Sequence, residues 1–347
     1  MEEEIVSEFV LIKNSSKLQL INLENMKANR TCVITSDWEM GAGKIGTSQG
    51  PLRIKSLLNT SRIGEQIIDT LEIQSPAIAN YSSSDITNLG LSDTFNPAKN
   101  IKELIEHTKK LSSTIEDCVV NGYNTLVFSG DHSNAIGTVS GLCKSLGGEN
   151  IGVIWIDAHL DLHSPFTTPS GNIHGMSVNA LLGDDNIEMR IRELTDFEQQ
   201  DWLSLKSLKI NKPNNCISAK NLIFIGTRSY EEQEWELIRK HSILVITIDE
   251  INKLGRDWLV DTINRHLEHC MYRYVSFDVD SLDSSISSAT GTPEPNGLDL
   301  ETASYLFERL WNHPQTVCME ITEFNPTLPH PEKLDEALLT CFQSAII

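Results

Sequence analysis

Long apolar runs are missing from this chain. None approaches the ~20 residues that a helix needs to cross a bilayer, so no membrane partner is expected. Basic residues are scarce: 28 Lys and Arg stand against 48 Asp and Glu, a formal charge of −20, with no local basic cluster. Such a surface repels phosphate backbones and argues against nucleic acid as a partner. The first residues, MEEEIVSEF, lack the basic stretch that opens a secretory signal. The seven cysteines (32, 118, 143, 216, 270, 318 and 341) are odd in number and nowhere spaced C-x-x-C. That argues against a disulfide frame or a thiolate zinc site, and for reduced thiols in the cytoplasm. Repeats and low-complexity tracts are absent too. What remains is an ordinary globular composition, 39% apolar and 22% charged over 347 residues, with ample chain to bury a core.

Short apolar runs alternate with helical patterns. Strands are predicted at 33–36, 125–129, 151–157, 221–226, 243–249, 273–280 and 316–321. Several are apolar on both faces, as strands of a helix-covered parallel sheet should be. Helical spacing marks 101–121, with Asn100 and Glu103 as a capping-box-like start, then 134–146, and 300–312 after Asp299 as a cap. The βαβα order implies an α/β fold with a doubly wound sheet in a single domain, 1–347. Residues 1–30 read as an N-terminal extension, 76–100 as a Ser/Asn/Pro-rich loop, and 184–220 as an exposed surface insertion.

Chemistry collects in three places. Four of the ten histidines fall between 132 and 174, where an even spread would leave about one. Ser129-Gly130-Asp131-His132-Ser133 follows the strand TLVFS, Asp157-Ala158-His159-Leu160-Asp161 follows IGVIWI, and Asp278-Val279-Asp280 closes RYVSF. Open α/β sheets place their ligand sites at such carboxyl ends. Alternate residues of an extended backbone share a face, so Asp157, His159 and Asp161 would point one way, as would Asp278 and Asp280. Any one patch alone reads as a turn or helix cap. Three together, with two imidazoles and four carboxylates, suit a pair of borderline-hard divalent ions. Two ions roughly 3.5 Å apart can hold and deprotonate one water near neutral pH.

These residues resemble the ureohydrolase (arginase–agmatinase) family. The likeness rests on SGDHSNAIGTVSG (129–141), WIDAHLDLHSPFTTPSGNIHGMSV (155–178), SFDVDSLDSSISSATGTPEPNGL (276–298) and MEITEFNP (319–326), with a weaker match at GTSQGP (46–51). The resemblance implies one three-layer α/β domain around an eight-stranded, mainly parallel sheet, and a centre of two divalent ions, manganese foremost. Carried over by position, His132, Asp157, Asp161 and Asp278 hold one ion, and Asp157, His159, Asp278 and Asp280 the other. Glu323 pairs with the guanidinium, His174 shuttles protons, Asp161 also accepts a hydrogen bond from the hydroxide, and Thr292 lies near the substrate head group. The tract TTPSGNIHG (167–175) is similar to arginases within the family, which gives Ser170 and Asn172 the substrate α-carboxylate. Asp131 is expected to orient a ligand histidine, Asp283 to do likewise or cap a turn, and Glu320 to be a structural partner.

The chain also departs from that pattern. His163 stands where arginases have Asn for the substrate carboxylate, and Glu231 where they have Asp for the α-amino group, with Glu234 as the second acid. Ser129 replaces a glycine, and Ser284 and Ser288 replace prolines. The first reading is an arginase, converting L-arginine and water to L-ornithine and urea through a metal-bridging hydroxide. A second keeps the chemistry but takes another guanidino acid, agmatine or formimidoylglutamate. A third is a metal-binding regulator without turnover. A small guanidino substrate and a homo-oligomer, trimer or hexamer, are the partners that the resemblance implies.

Overall fold

The apolar runs of the sequence lie side by side in one sheet. In the computed structural model, residues 9–14, 17–22, 30–58, 67–76, 95–208 and 216–345 are described. The main sheet has eight strands: β3 (Thr31–Ser36), β4 (Ile67–Ile73), β5 (Asn124–Ser129), β6 (Ile151–Ile156), β7 (Leu222–Ile225), β8 (Leu244–Ile246), β9 (Tyr272–Asp278) and β10 (Thr316–Thr322). Their order is β4-β3-β5-β10-β9-β6-β7-β8, and every pairing is parallel. Within the expected extension, β1 (Phe9–Asn14) and β2 (Lys17–Asn22) form a separate antiparallel pair.

Both faces of the sheet's central strands are covered, which is why those strands are mainly apolar. Ile154 and Ile156 of β6 join a core shared with helices α1 (Gly50–Leu58), α8 (Arg256–His266), α9 (Leu300–Trp311) and α10 (Pro331–Ser344). Val153 and Trp155 face the opposite core, with α2 (Ile101–Val120), α3 (Asn134–Leu146), α4 (Ser177–Leu182) and α6 (Glu232–His241). Each large apolar side chain buried this way stabilises the fold by about 1.5–3 kcal/mol. Asp299 caps α9 as expected, accepting from Thr302 N–H at 2.7 Å.

Several expectations need correction. β4 was not predicted: its polar Asp69, Thr70 and Glu72 suit an edge strand and mask the apolar pattern. The predicted strand 243–249 ends at Ile246, because Thr247 and Glu250 form a capping box that starts α7 (Ile248–Leu254). Asn100 makes no cap; it is left-handed (φ 57°) and donates to Met40 O. Cys143 and Cys216, 73 positions apart, form a disulfide, against the expectation of thiols only; Cys32, Cys118, Cys270, Cys318 and Cys341 are free and buried. Most of the predicted 76–100 loop, residues 77–94, lies outside the described residues, as do 209–215 of the 184–220 stretch. That stretch contains α5 (Asp196–Lys206), which buries Trp202 and Leu205. Among the described residues no helix is long and apolar enough to cross a membrane.

Candidate active site

Four neighbouring central strands, β5, β10, β9 and β6, deliver the residues of interest from their carboxyl ends. After β5 the chain must pass Trp38 closely: a Cβ on Gly130 would sit 2.2 Å from Trp38 O, so only glycine fits there. This turn sends His132 inward. His132 Nδ1 lies 3.1 Å from an oxygen of each of Asp157, Asp161 and Asp278. His159 Nδ1 lies 3.4 Å from Asp157 Oδ1 and 3.2 Å from Asp280 Oδ2. Asp157 therefore belongs to two adjoining ligand groups, one around His132 and one around His159.

The convergence does not come from extended backbone, as alternation in the sequence suggested. β6 ends at Ile156, and 157–161 bends sharply, with Asp157 Oδ1 accepting from His159 N–H at 2.7 Å. Asp161 is left-handed at φ 52°. Likewise β9 ends at Asp278, whose side chain caps a 3₁₀ turn by accepting from Asp280 N–H at 2.8 Å. A non-glycine residue held at positive φ costs about 1–3 kcal/mol and persists only where surrounding structure imposes it. Glu323, at φ 67°, is a second case in the same site.

The donor set fits divalent cations. His132 Nδ1 and Asp161 Oδ2 are buried with no hydrogen-bond partner among the described residues. Four carboxylates are crowded there, each at most 6% exposed. Burial first, then Asp280 and Asp157, push the Asp278 carboxyl well above the usual carboxylate range. Such a group is costly unless counter-charges sit within it. The other imidazole nitrogen of His132 is supported as a metal-bound histidine requires. His132 Nε2 is 2.7 Å from Ser276 Oγ, and the Trp155 ring stacks on the imidazole at 4.1 Å. His159 Nε2 faces Glu294 Oε1 at 3.9 Å. None of Ser276, Trp155 and Glu294 was singled out from the sequence, although Ser276 and Trp155 each precede a site Asp by two residues on a strand.

Asp131 does not orient a ligand histidine. Its Oδ2 accepts from Gly41 and Ala42 N–H, and its Oδ1 from Ser133 N–H, so it fastens the 37–42 segment to the site. Asp283 is a turn cap, accepting from Ser285 and Gly297 N–H. Glu320 is buried and accepts from Tyr274 OH at 2.8 Å, the structural partner expected. Thr292 lines the cleft, but its hydroxyl donates to Asp280 Oδ2 at 3.0 Å.

A cleft of about 340 Å³ opens over these groups and includes His174, Glu323, His163, Ser170, Asn172 and Glu231. His174 Nδ1 is 2.9 Å from Glu323 Oε1, which also accepts from His132 N–H at 2.8 Å. Burial opposes charge on His174, but Glu323 and Asp131 outweigh it and hold the imidazole up at about 9. His163 Nε2 pairs with Glu231 Oε2 at 3.1 Å, while Nδ1 meets Thr167 Oγ1 at 3.1 Å. That bond to His163, ahead of burial, pulls Glu231 down to about 2. Glu234 is buried, and its two oxygens take the N–H groups of Leu162 and Glu231 as part of the α6 cap. Of the two acids expected to face the substrate, Glu231 is the more accessible, with its side chain 55% exposed against 5% for Glu234.

The 184–208 segment supports the loop that carries Ser170 and Asn172. Arg192 Nη1 donates to the carbonyls of Pro165 and Thr168, its guanidinium lies 4.0 Å from the centre of the Phe95 ring, and Ile191 N–H donates to Phe166 O. Replacing Arg192 by Met keeps the length of the side chain and removes both carbonyl bonds. The expected result is a substrate KM raised about tenfold with kcat nearly kept, a smaller effect than the ~10²-fold that a full 1 Å misplacement can cost. Steady-state kinetics check it; an unchanged KM would show that the brace is not used.

The fold is a three-layer α/β domain, and its two adjoining ligand groups, sharing Asp157, have donor sets that could each hold a metal ion. A sequence profile described as "Arginase family" matches residues 30–346. The chain is 28% identical to human Arginase-1 over 317 residues, covering 90% of this chain and 91% of that one. It is 35% identical to an arginase of Coccidioides posadasii over 227 residues, 64% of this chain and only 65% of that enzyme's length. Among solved structures, the arginase of Bacillus cereus superposes with a TM-score of 0.74 at 28% identity, covering 91% of this chain and 97% of that one. The chain belongs to the arginase family, whose members are metal-dependent hydrolases of guanidino compounds.

Proposed function

We propose that this protein is an arginase, hydrolysing L-arginine to L-ornithine and urea. The observation that carries the reading is the loop 167–175, TTPSGNIHG, which brings Ser170 and Asn172 to the same cleft as the acidic ligand groups and the His174–Glu323 pair. A guanidinium carbon is a poor electrophile, because its charge is delocalised. Two ions held by His132, Asp157, Asp161 and Asp278 and by Asp157, His159, Asp278 and Asp280 would supply the acidified water that such a carbon needs. Glu323 offers a carboxylate that can take the guanidinium in a two-point fork. Asp161 accepts a proton-bearing bond from the attacking water. His174, cationic beside Glu323, gives a proton to the departing amine. At the far end, Ser170 and Asn172 meet the α-carboxylate and Glu231 the α-ammonium. Oxygen and imidazole donors favour manganese as the resident ion. The free thiols Cys32, Cys118, Cys270, Cys318 and Cys341 suit the cytoplasm, with Cys143–Cys216 as an exception there, and a homo-oligomer follows the family resemblance.

A second reading, another guanidino acid, is favoured by one observation: His163 is engaged by Glu231 at the place where an Asn would meet the substrate. A substrate panel with manganese present separates the two. Urea release from L-arginine should exceed that from agmatine by at least about 10²-fold in kcat/KM, because a site built for a carboxylate rejects the analogue lacking it. Faster turnover of agmatine or of formimidoylglutamate would overturn the arginase reading, and no turnover at all would favour a metal-binding regulator.

A further inference from the structure

The cleft has a charge problem at its outer end. Among the described residues its lining includes Glu231, Glu234 and Glu294 but no Lys or Arg, so an α-carboxylate arriving there meets acids with only His163 and neutral groups such as Ser170, Asn172 and Ser229 to receive it. Arg228, the nearest cation in sequence to Glu231, is half-buried and has its guanidinium spent on the carbonyls of Gly226, Asp280, Leu282, Glu294 and Pro295. Among the described residues, Lys99 is a cation that reaches the loop itself. Lys99 Nζ donates to Asn172 Oδ1 at 2.9 Å. Its backbone is fixed to the same loop, since Lys99 N–H donates to Gly171 O at 2.9 Å, and a Cβ on Gly171 would come within 2.0 Å of Asn96 O. Segment 96–99 and the loop 168–172 are therefore seated on each other.

We infer that Lys99 is a specificity-determining residue: it turns the Asn172 amide so that its NH₂ is free for the substrate's α-carboxylate, and it places a positive charge behind that contact. The inference rests on the arginase reading and deepens it. An ammonium has only donors, so the amide must present Oδ1 to Lys99 and keep Nδ2 for another acceptor. The space beside Nδ2 is open because residue 43 is glycine; a Cβ there would stand 2.9 Å from Nδ2. Lys99 thus acts through Asn172 on orientation, and through space on charge. A guanidino acid profits from both, and a guanidino amine, which has no carboxylate, from neither.

The test uses the manganese-loaded full chain with L-arginine and agmatine as substrates. Lys99→Met should raise the arginine KM about fivefold, the scale of one exposed charge a few ångströms from a carboxylate in water. The arginine kcat and the agmatine KM should stay within about twofold, while Lys99→Arg, keeping charge and donors, recovers most of the arginine KM. The wild-type arginine KM should also rise between ~50 mM and ~500 mM salt, as an exposed charge contact is screened, and Lys99→Met should lose that dependence. An arginine KM unchanged in Lys99→Met, or KM values for both substrates raised alike, overturns the inference. Wild-type preference for agmatine is a different failure, that of the arginase reading itself.

Discussion

Replacing Asp278 by Ala should abolish guanidino hydrolysis, with a loss of at least about 10³ in kcat/KM. The side chain is 2% exposed at the end of β9, and its Oδ2 lies 3.1 Å from His132 Nδ1. A cation in a hydrolase centre contributes several kcal/mol to the chemical step, and each 1.36 kcal/mol is tenfold. Metal analysis of the purified variant should show manganese content well below that of the wild type. A second readout separates loss of a ligand from loss of the fold. In the metal-free protein Asp278 is one of several buried carboxylates that repel one another, and burial followed by Asp280 and Asp157 already disfavours its charged form. Its removal should leave the melting temperature of the metal-free protein unchanged or higher. Added manganese should raise the wild-type Tm strongly and that of Asp278→Ala little, because a ligand stabilises the fold in proportion to its affinity for it. Full urea production, or an undiminished manganese-induced rise in Tm, would remove Asp278 from the metal-holding set.

How the sequence announced this site is instructive, because the residues were legible and the geometry was not. His132, Asp157, His159, Asp161, Asp278 and Asp280 stood out as polar groups at the ends of apolar strands, and parallel sheets do put their sites there. Alternation along an extended strand, the reason given for their convergence, does not operate: 157–161 is bent, Asp161 is left-handed, and Asp280 sits in a 3₁₀ turn. Periodicity reports regular structure, and the site is built where regular structure stops. The groups that support it were hidden for a related reason. Ser276 and Trp155 lie inside strands, where a lone serine or tryptophan carries no signal of a histidine stacked or hydrogen-bonded against it. Asp131 sits next to His132 in sequence yet bonds to Gly41 and Ala42, some ninety positions away. The eighth strand, β4, was invisible for the opposite reason: as an edge strand it needs few apolar residues. Lys99 belongs to a stretch that reads as featureless loop, and only its spatial neighbour Asn172 gives it meaning.

Substituting Glu323 by Gln should lower kcat/KM for the guanidino substrate about 10²-fold and move the alkaline limb of its pH profile to lower pH. The first effect follows from losing a charge-assisted pair with the guanidinium, about 1.5–3 kcal/mol for a bond to a charged group, together with poorer alignment. The second follows from what Glu323 does to His174. Burial alone would lower the His174 pKa; Glu323 at 2.9 Å, with Asp131 and Asp161 farther off, raises it instead to about 9. The acid form that protonates the leaving amine therefore persists through neutrality in the free enzyme and is lost as pH rises through that value. With a neutral amide at 323, Asp131 and Asp161 remain but the largest favourable charge is gone, so burial regains influence and the limb moves down by about one pH unit or more. Stability should follow the same sign. A histidine whose folded pKa lies above its unfolded 6.5 adds stability that is complete below pH 6.5 and disappears as pH climbs through about 9. Glu323→Gln should thus lose Tm relative to the wild type at pH 6 and less at pH 9.5. A variant whose pH profile keeps the wild-type limb would show that His174 is not tuned by Glu323, whatever happens to its rate.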